Sequence, residues 1–124
     1  MTPRILIVED NLPFAINIES YLEEWGYTVT GIAENGKTAL WHIVNDQPDL
    51  ILMDIHINGN VSGMDIALAV KDQNIPIIFI TGERDENMYE SAKNTRAVSY
   101  LVKPFDMLTL KAAIELNIPS PSPE

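Results

Sequence analysis

The chain has 124 residues, no cysteine, and a formal net charge of −10 with eight lysines and arginines. That length makes one domain with a self-sufficient core. The missing thiols exclude disulfides and thiolate metal sites, and the acidity argues against gripping nucleic acid directly. No run approaches the roughly 20 apolar residues of a membrane span, and no signal-like leader precedes the first apolar run, so a cytoplasmic protein without membrane contact is expected.

Arg4-Ile5-Leu6-Ile7-Val8 is the first apolar run and ends on Glu9-Asp10. Asn11 and Pro13 open a helix, as cap and first-turn proline. Ala15, Ile18, Leu22 and Trp25 then recur on one face, and Gly26 ends it in the left-handed region. Tyr27 to Ala33 alternates and is rich in β-branched residues, which predicts a second, more exposed strand. Asn35-Gly36 has the composition of a hairpin turn, yet the residues after it are helical, with Ala39, Leu40, Ile43 and Val44 predicted as the buried face and Pro48 marking the end.

Asp49-Leu50-Ile51-Leu52-Met53-Asp54-Ile55-His56 is the centre of the chain. Four consecutive bulky apolar residues suit a parallel strand covered on both faces. Asp54 should stand at its carboxyl end, beside the crevice where open α/β sheets bind ligands. A polar loop follows from His56 to Ser62, in which Gly59 and Gly63 read as loop glycines. A third helix is predicted over Gly63–Asp72, burying Ile66, Ala69 and Val70. Pro76 to Ile80 is a fourth strand stopping on Thr81, followed by a weakly amphipathic helix over about Asp85–Thr95. Ser99-Tyr100-Leu101-Val102 is the last strand and stops on Lys103-Pro104. Asp106 caps a final helix through Leu110, Ala113 and Ile114. Residues 1–118 are expected to form the domain, and the Pro/Ser-rich stretch 119–124 a tail or the start of a linker. Trp25, Trp41 and His42 read as packing residues.

Five strands alternating with five helices predict a doubly wound α/β domain with a parallel sheet and right-handed crossovers. Parallel strands bring their carboxyl ends to one side, so Glu9, Asp10, Asp54, Thr81 and Lys103 should share a crevice. Three crowded carboxylates must raise a pKa or bind a cation. An all-oxygen donor set favours a hard ion, Mg²⁺ or Mn²⁺ in its place. Lys103 and Thr81 then suit a phosphate, and a carboxylate such as Asp54 can accept a phosphoryl group.

Four segments carry a family resemblance: Ile5-Leu6-Ile7-Val8-Glu9-Asp10-Asn11, Asp49-Leu50-Ile51-Leu52-Met53-Asp54-Ile55, Ile77-Ile78-Phe79-Ile80-Thr81-Gly82 and Tyr100-Leu101-Val102-Lys103-Pro104-Phe105. Together, in this order, they resemble the receiver domain of two-component response regulators over nearly the whole chain. The resemblance implies strand order 2-1-3-4-5 and a phosphoacceptor at Asp54. It implies Mg²⁺ bound by Asp10 and Asp54, by Glu9 through water, and by the backbone carbonyl of His56. Thr81 and Lys103 would hold the phosphoryl group, Thr81 and Tyr100 would form the switch, and Lys103-Pro104 would be cis. His56 and Glu83 are candidates for tuning the phosphoryl lifetime. The implied partners are a sensor histidine kinase or histidine phosphotransfer protein, an output domain or downstream protein on the 85–117 face, and a second copy in a homodimer. The chain would act as a phosphoacceptor switch rather than an enzyme.

This sequence departs from the common family pattern in four places. Glu9 replaces a more usual Asp, residues 57–63 lack a proline and run one residue long, Gly82 replaces alanine, and Arg96 stands where glycine often ends the fourth helix. Rival readings fit less well. A haloacid-dehalogenase-like phosphatase needs a second Asp where His56 stands, and Glu9-Asp10 would repel the phosphate of a flavodoxin-like cofactor. A degenerate receiver, docking without phosphorylation, would not need the complete set of site residues.

Overall fold

The computed structural model describes residues 2–82 and 85–121. Its elements alternate: β1 (Arg4–Val8), α1 (Leu12–Glu24), β2 (Thr28–Ala33), α2 (Gly36–Asp46), β3 (Leu50–Asp54), α3 (Gly63–Ala69), β4 (Ile77–Thr81), α4 (Glu86–Ala92), β5 (Ala97–Val102) and α5 (Met107–Glu115). The five strands form one parallel sheet in the order β2-β1-β3-β4-β5. The predicted doubly wound topology is therefore the observed one.

Local chemistry sets the helix starts. Asn11 Oδ1 accepts the Phe14 N–H at 3.1 Å, Asn35 Oδ1 accepts that of Thr38 at 2.9 Å, and Asp106 Oδ1 accepts that of Thr109 at 2.8 Å. Each bond satisfies a donor that the first helical turn leaves unpaired. Ser62 and Asp65 form a reciprocal capping box at the start of α3. Gly26, at φ +95°, ends α1 as expected. Asn35 thus caps a helix instead of turning a hairpin, and it also bridges to Asn58 of the loop after β3.

Side chains alternate across the sheet and build two cores. Leu6, Val8, Ile51, Met53, Ile77 and Phe79 face α2, α3 and α4, meeting Ile43, Ile66 and Ala92. Ile5, Ile7, Leu50, Leu52, Ile78 and Ile80 face α1 and α5, meeting Ile18, Leu22, Leu110 and Ile114. Each such aliphatic side chain contributes about 1.5–3 kcal/mol on burial. β3 is buried along its whole length between the two layers.

Two expectations from periodicity are corrected, and one departure from the family pattern is explained. Helix α2 buries Gly36, Ala39 and Ile43, while Leu40, Trp41 and Val44 are exposed. The inward stripe is rotated by one residue from the predicted face, so Trp41 is not a core packing residue. Helix α3 ends at Ala69 and continues as a 3-10 turn over Lys71–Gln73. Ala67 is buried there, and Ala69 is exposed. Arg96 has no positive φ. Its side chain donates to the Lys71 carbonyl at 2.7 Å, tying the start of that turn to the residue before β5.

Two glycines mark close approaches. A Cβ on Gly31 would lie 2.6 Å from Cε1 of His42, whose Nδ1 lies 2.6 Å from Asp46 Oδ2. A Cβ on Gly63 would lie 2.0 Å from the carbonyl oxygen of Asp54. Gly63 is thus more than a loop glycine: it opens α3 and lets that helix press directly on the end of the central strand.

Candidate functional site

The carboxyl ends of β1, β3, β4 and β5 converge. Asp54 is the last residue of β3 and pairs with Ile80 in register. It stands at the strand end as predicted but is well covered, at 6% exposure. Its two oxygens are held separately, Oδ1 by the His56 N–H at 3.0 Å and Oδ2 by the Lys103 ammonium at 3.1 Å. Glu9 follows β1 and is buried. Its Oε1 accepts from the Lys103 ammonium at 2.8 Å and its Oε2 from the Asn11 N–H at 3.1 Å. Asp10 is half-buried beside it. One carboxylate oxygen from each of Glu9, Asp10 and Asp54 lies within 4.8 Å of the others.

The electrostatics follow from one ammonium bonded to two of three clustered carboxylates. Burial, reinforced by the hydrogen bond and charge of Asp54, pushes the Glu9 carboxyl up to about 7 against the opposing pull of Lys103 and the Asn11 N–H. Burial alone would lower the Lys103 pKa, but its bonds to Glu9 and Asp54 and their charges outweigh it, so the ammonium is held above its usual range. An all-oxygen trio of this kind fits a hard divalent cation, which takes one or two carboxylates and retains water.

Thr81 ends β4 and is buried, and its carbonyl accepts the Lys103 N–H at 2.7 Å. The Lys103-Pro104 bond is cis. Tyr100 lies further from the crevice on β5. Its ring meets Tyr89 edge-on at 5.6 Å and Phe79 at 6.2 Å, and its buried hydroxyl has no hydrogen-bond partner among the described residues. The structure therefore gathers Glu9, Asp10, Asp54 and Lys103 tightly, sets Thr81 at the adjoining strand end and leaves Tyr100 behind it toward α4. The His56 side chain is exposed. Glu83 lies outside the described residues.

Sequence reasoning missed Phe14. The Lys103 ammonium sits 4.3 Å from the centroid of its ring. The available signal was an aromatic residue in the first turn after Asp10, because helical side chains lean back toward the helix N-terminus.

Comparison with known proteins agrees with this arrangement. The chain is 34% identical over 116 residues to the transcriptional regulatory protein PdtaR of Mycobacterium tuberculosis, covering 93% of this chain and 56% of that protein. It thus spans about half the length of that relative. It is 32% identical over 121 residues to sporulation initiation phosphotransferase F of Bacillus subtilis, covering 96% of each. Among solved structures, the response regulator TrrA of Thermotoga maritima, in complex with Mg²⁺-BeF, superposes with a TM-score of 0.84 at 28% identity, covering 94% of this chain and all of that one. Residues 5–115 match the family model described as the response regulator receiver domain, and the chain belongs to that family, the receiver domains of two-component systems.

Proposed function

We propose that Asp54 is the phosphoryl acceptor of a histidine–aspartate phosphorelay and that its phosphorylation depends on Mg²⁺ or Mn²⁺. The observation that carries this reading is the buried Asp54 carboxylate, gripped at one oxygen by the His56 N–H and at the other by Lys103, with two further carboxylates beside it. In the transfer, an Asp54 oxygen forms a bond to phosphorus as the P–N bond of a donor phosphohistidine breaks, and the imidazole nitrogen keeps the electron pair. Such chemistry asks for positioning and charge neutralisation rather than a complex set of catalytic groups. Asp10, Asp54, Glu9 and the His56 carbonyl would hold the cation, which supplies positive charge to the phosphoryl oxygens. Lys103 moves its hydrogen bond from the carboxylate to the phosphoryl group, and the Thr81 hydroxyl donates to it. His56 and Glu83 tune how long the group survives.

The signal leaves through the switch pair Thr81 and Tyr100. Shifting an equilibrium from 1:99 to 99:1 needs about 5.5 kcal/mol of differential binding. One hydrogen bond to a charged group contributes about 1.5–3 kcal/mol, so Thr81 must share the work with Lys103 and the metal. A sensor histidine kinase or phosphotransfer protein serves as donor in the cytoplasm, and an output domain, downstream protein or second copy reads the 85–117 face. The chain acts as a switch and not as a turnover enzyme. The test is incubation with acetyl phosphate and Mg²⁺ followed by intact-mass measurement. Wild type gains one base-labile phosphoryl group, and Asp54→Asn or chelation of the metal abolishes it. The same gain in Asp54→Asn would overturn the assignment.

A further inference from the structure

The Lys103 ammonium has three donors. Two are taken up by Glu9 at 2.8 Å and Asp54 at 3.1 Å. The Phe14 ring covers another side of the group, its centroid 4.3 Å from Nζ. That ring is itself fixed. Its backbone N–H donates to the Asn11 cap at 3.1 Å, and its edge meets the Phe105 ring at 6.3 Å and 89°. Asn11 in turn donates its own N–H to Glu9 Oε2 at 3.1 Å. The contacts close a circuit from Glu9 through Asn11 and Phe14 to Lys103 and back to Glu9.

We propose that Phe14 is a positioning residue of the phosphoacceptor site, its ring face holding the Lys103 ammonium in place toward Asp54. An aromatic face is negative, so it attracts a cation where an aliphatic wall would not. The Lys103 side chain retains 25% exposure, which leaves a path toward solvent. Without the ring, the ammonium trades its place over Asp54 for water part of the time, and fewer molecules present it to an incoming phosphoryl group. This role rests on the acceptor reading of Asp54 and adds a residue to it.

The experiment is a double-mutant cycle between Phe14→Leu and Lys103→Met, with Phe14→Tyr as the conservative variant. It is read both by the rate of phosphorylation from acetyl phosphate at saturating Mg²⁺ and by urea unfolding. A cation–π contact corresponds to about twofold to thirtyfold in an equilibrium or rate. Phe14→Leu should slow phosphorylation within that range, Phe14→Tyr should restore it to within about twofold of wild type, and Phe14→Leu should have no further effect on rate in the Lys103→Met background. The unfolding cycle should show coupling of the same sign. Equal effects of Phe14→Leu in both backgrounds, or a Tyr variant as slow as Leu, would overturn the proposal. If wild type takes up no phosphoryl group at all, the acceptor reading fails, while the unfolding cycle still decides whether Phe14 holds Lys103.

Discussion

The crevice at the strand ends and the face formed by α4 and β5 are built in opposite ways, although Thr81 and Tyr100 connect them within about one strand's length. In the crevice, position is over-determined. Both oxygens of Asp54 are held, Lys103 bridges Glu9 and Asp54, and Gly63 lets α3 press on the Asp54 backbone. On the α4–β5 face, Tyr89 and Val98 are exposed, Ala92 is the one buried residue of α4, and the Tyr100 hydroxyl is buried without a partner among the described residues. Rings line a groove between Asp85, Glu86, Tyr89, Tyr100 and Val102, and the side-chain bonds of α4 are local, Asp85 accepting from the Met88 N–H and Lys93 donating to Glu90. On the proposed function, the region that places charges is clamped, and the region that would change state is held by contacts that can be exchanged at low cost.

The largest effect should come from loosening the clamp at its backbone. Gly63→Ala puts a methyl group where the nearest atom, the Asp54 carbonyl oxygen, is 2.0 Å away. Neither partner is a flexible side-chain end, so the strand end or the helix must move. A loss of about 3 kcal/mol in urea unfolding is expected, at the upper end of overpacking costs. Gly82→Ala is the control, since a Cβ there meets nothing within 4 Å. Equal stability of the two variants would mean that the crevice is not rigidly packed.

The electrostatics of the crevice predict the next effect. Glu9 is raised from 4.5 to about 7 in the folded chain. A raised carboxyl binds its proton more tightly when folded, so the stability it contributes is present below about 4.5 and is lost as pH rises through 7. The slope reaches at most about 1.4 kcal/mol per pH unit between those values. Lys103 is also raised, so its contribution persists throughout this window and does not alter the slope. Without divalent cations, unfolding free energy should therefore fall between pH 5 and 8, and Glu9→Gln should flatten the fall. Mg²⁺ should stabilise most at the alkaline end, where Glu9 is ionised. A metal-free protein whose stability rises across that range would contradict the crowding.

The smallest effect belongs to the softer face. Tyr100→Phe removes a buried hydroxyl that makes no hydrogen bond among the described residues and keeps the ring contacts with Tyr89 and Phe79. Leaving such a group unsatisfied costs about 1–3 kcal/mol, so the variant should be more stable by about 1 kcal/mol in thermal or urea unfolding. A loss of stability would mean that the hydroxyl is satisfied in solution.

The same contrast separates what was legible in the sequence from what was not. Apolar runs ending on Asp54, Thr81 and Lys103, with caps at Asn11 and Asp106, were enough for a parallel doubly wound sheet and its crevice, while the strand order came from the family resemblance. Those signals are local, and parallel topology does the rest. The rotation of α2 was not legible. Leu40, Trp41 and Val44 are as apolar as a core face, and only packing reveals that Gly36, Ala39 and Ile43 turn inward. In α3 nearly every residue from Met64 to Val70 is apolar, so periodicity cannot decide between Ala67 and Ala69. The Glu9–Lys103 bond joins residues far apart in the chain, which no spacing rule encodes, and Phe14 left only the weak signal of an aromatic ring in the first turn after Asp10.

On the proposed function, charge placed on Asp54 is felt at the α4–β5 face. Amide NMR of wild type and Asp54→Asn, with Mg²⁺ and with or without beryllofluoride as a phosphoryl mimic, tests it most directly. Wild type should show shifts at Asp54, Thr81 and Lys103 that extend through Tyr100 across 85–117, and Asp54→Asn should show none of them. Shifts confined to the crevice, or the same shifts in Asp54→Asn, would contradict it.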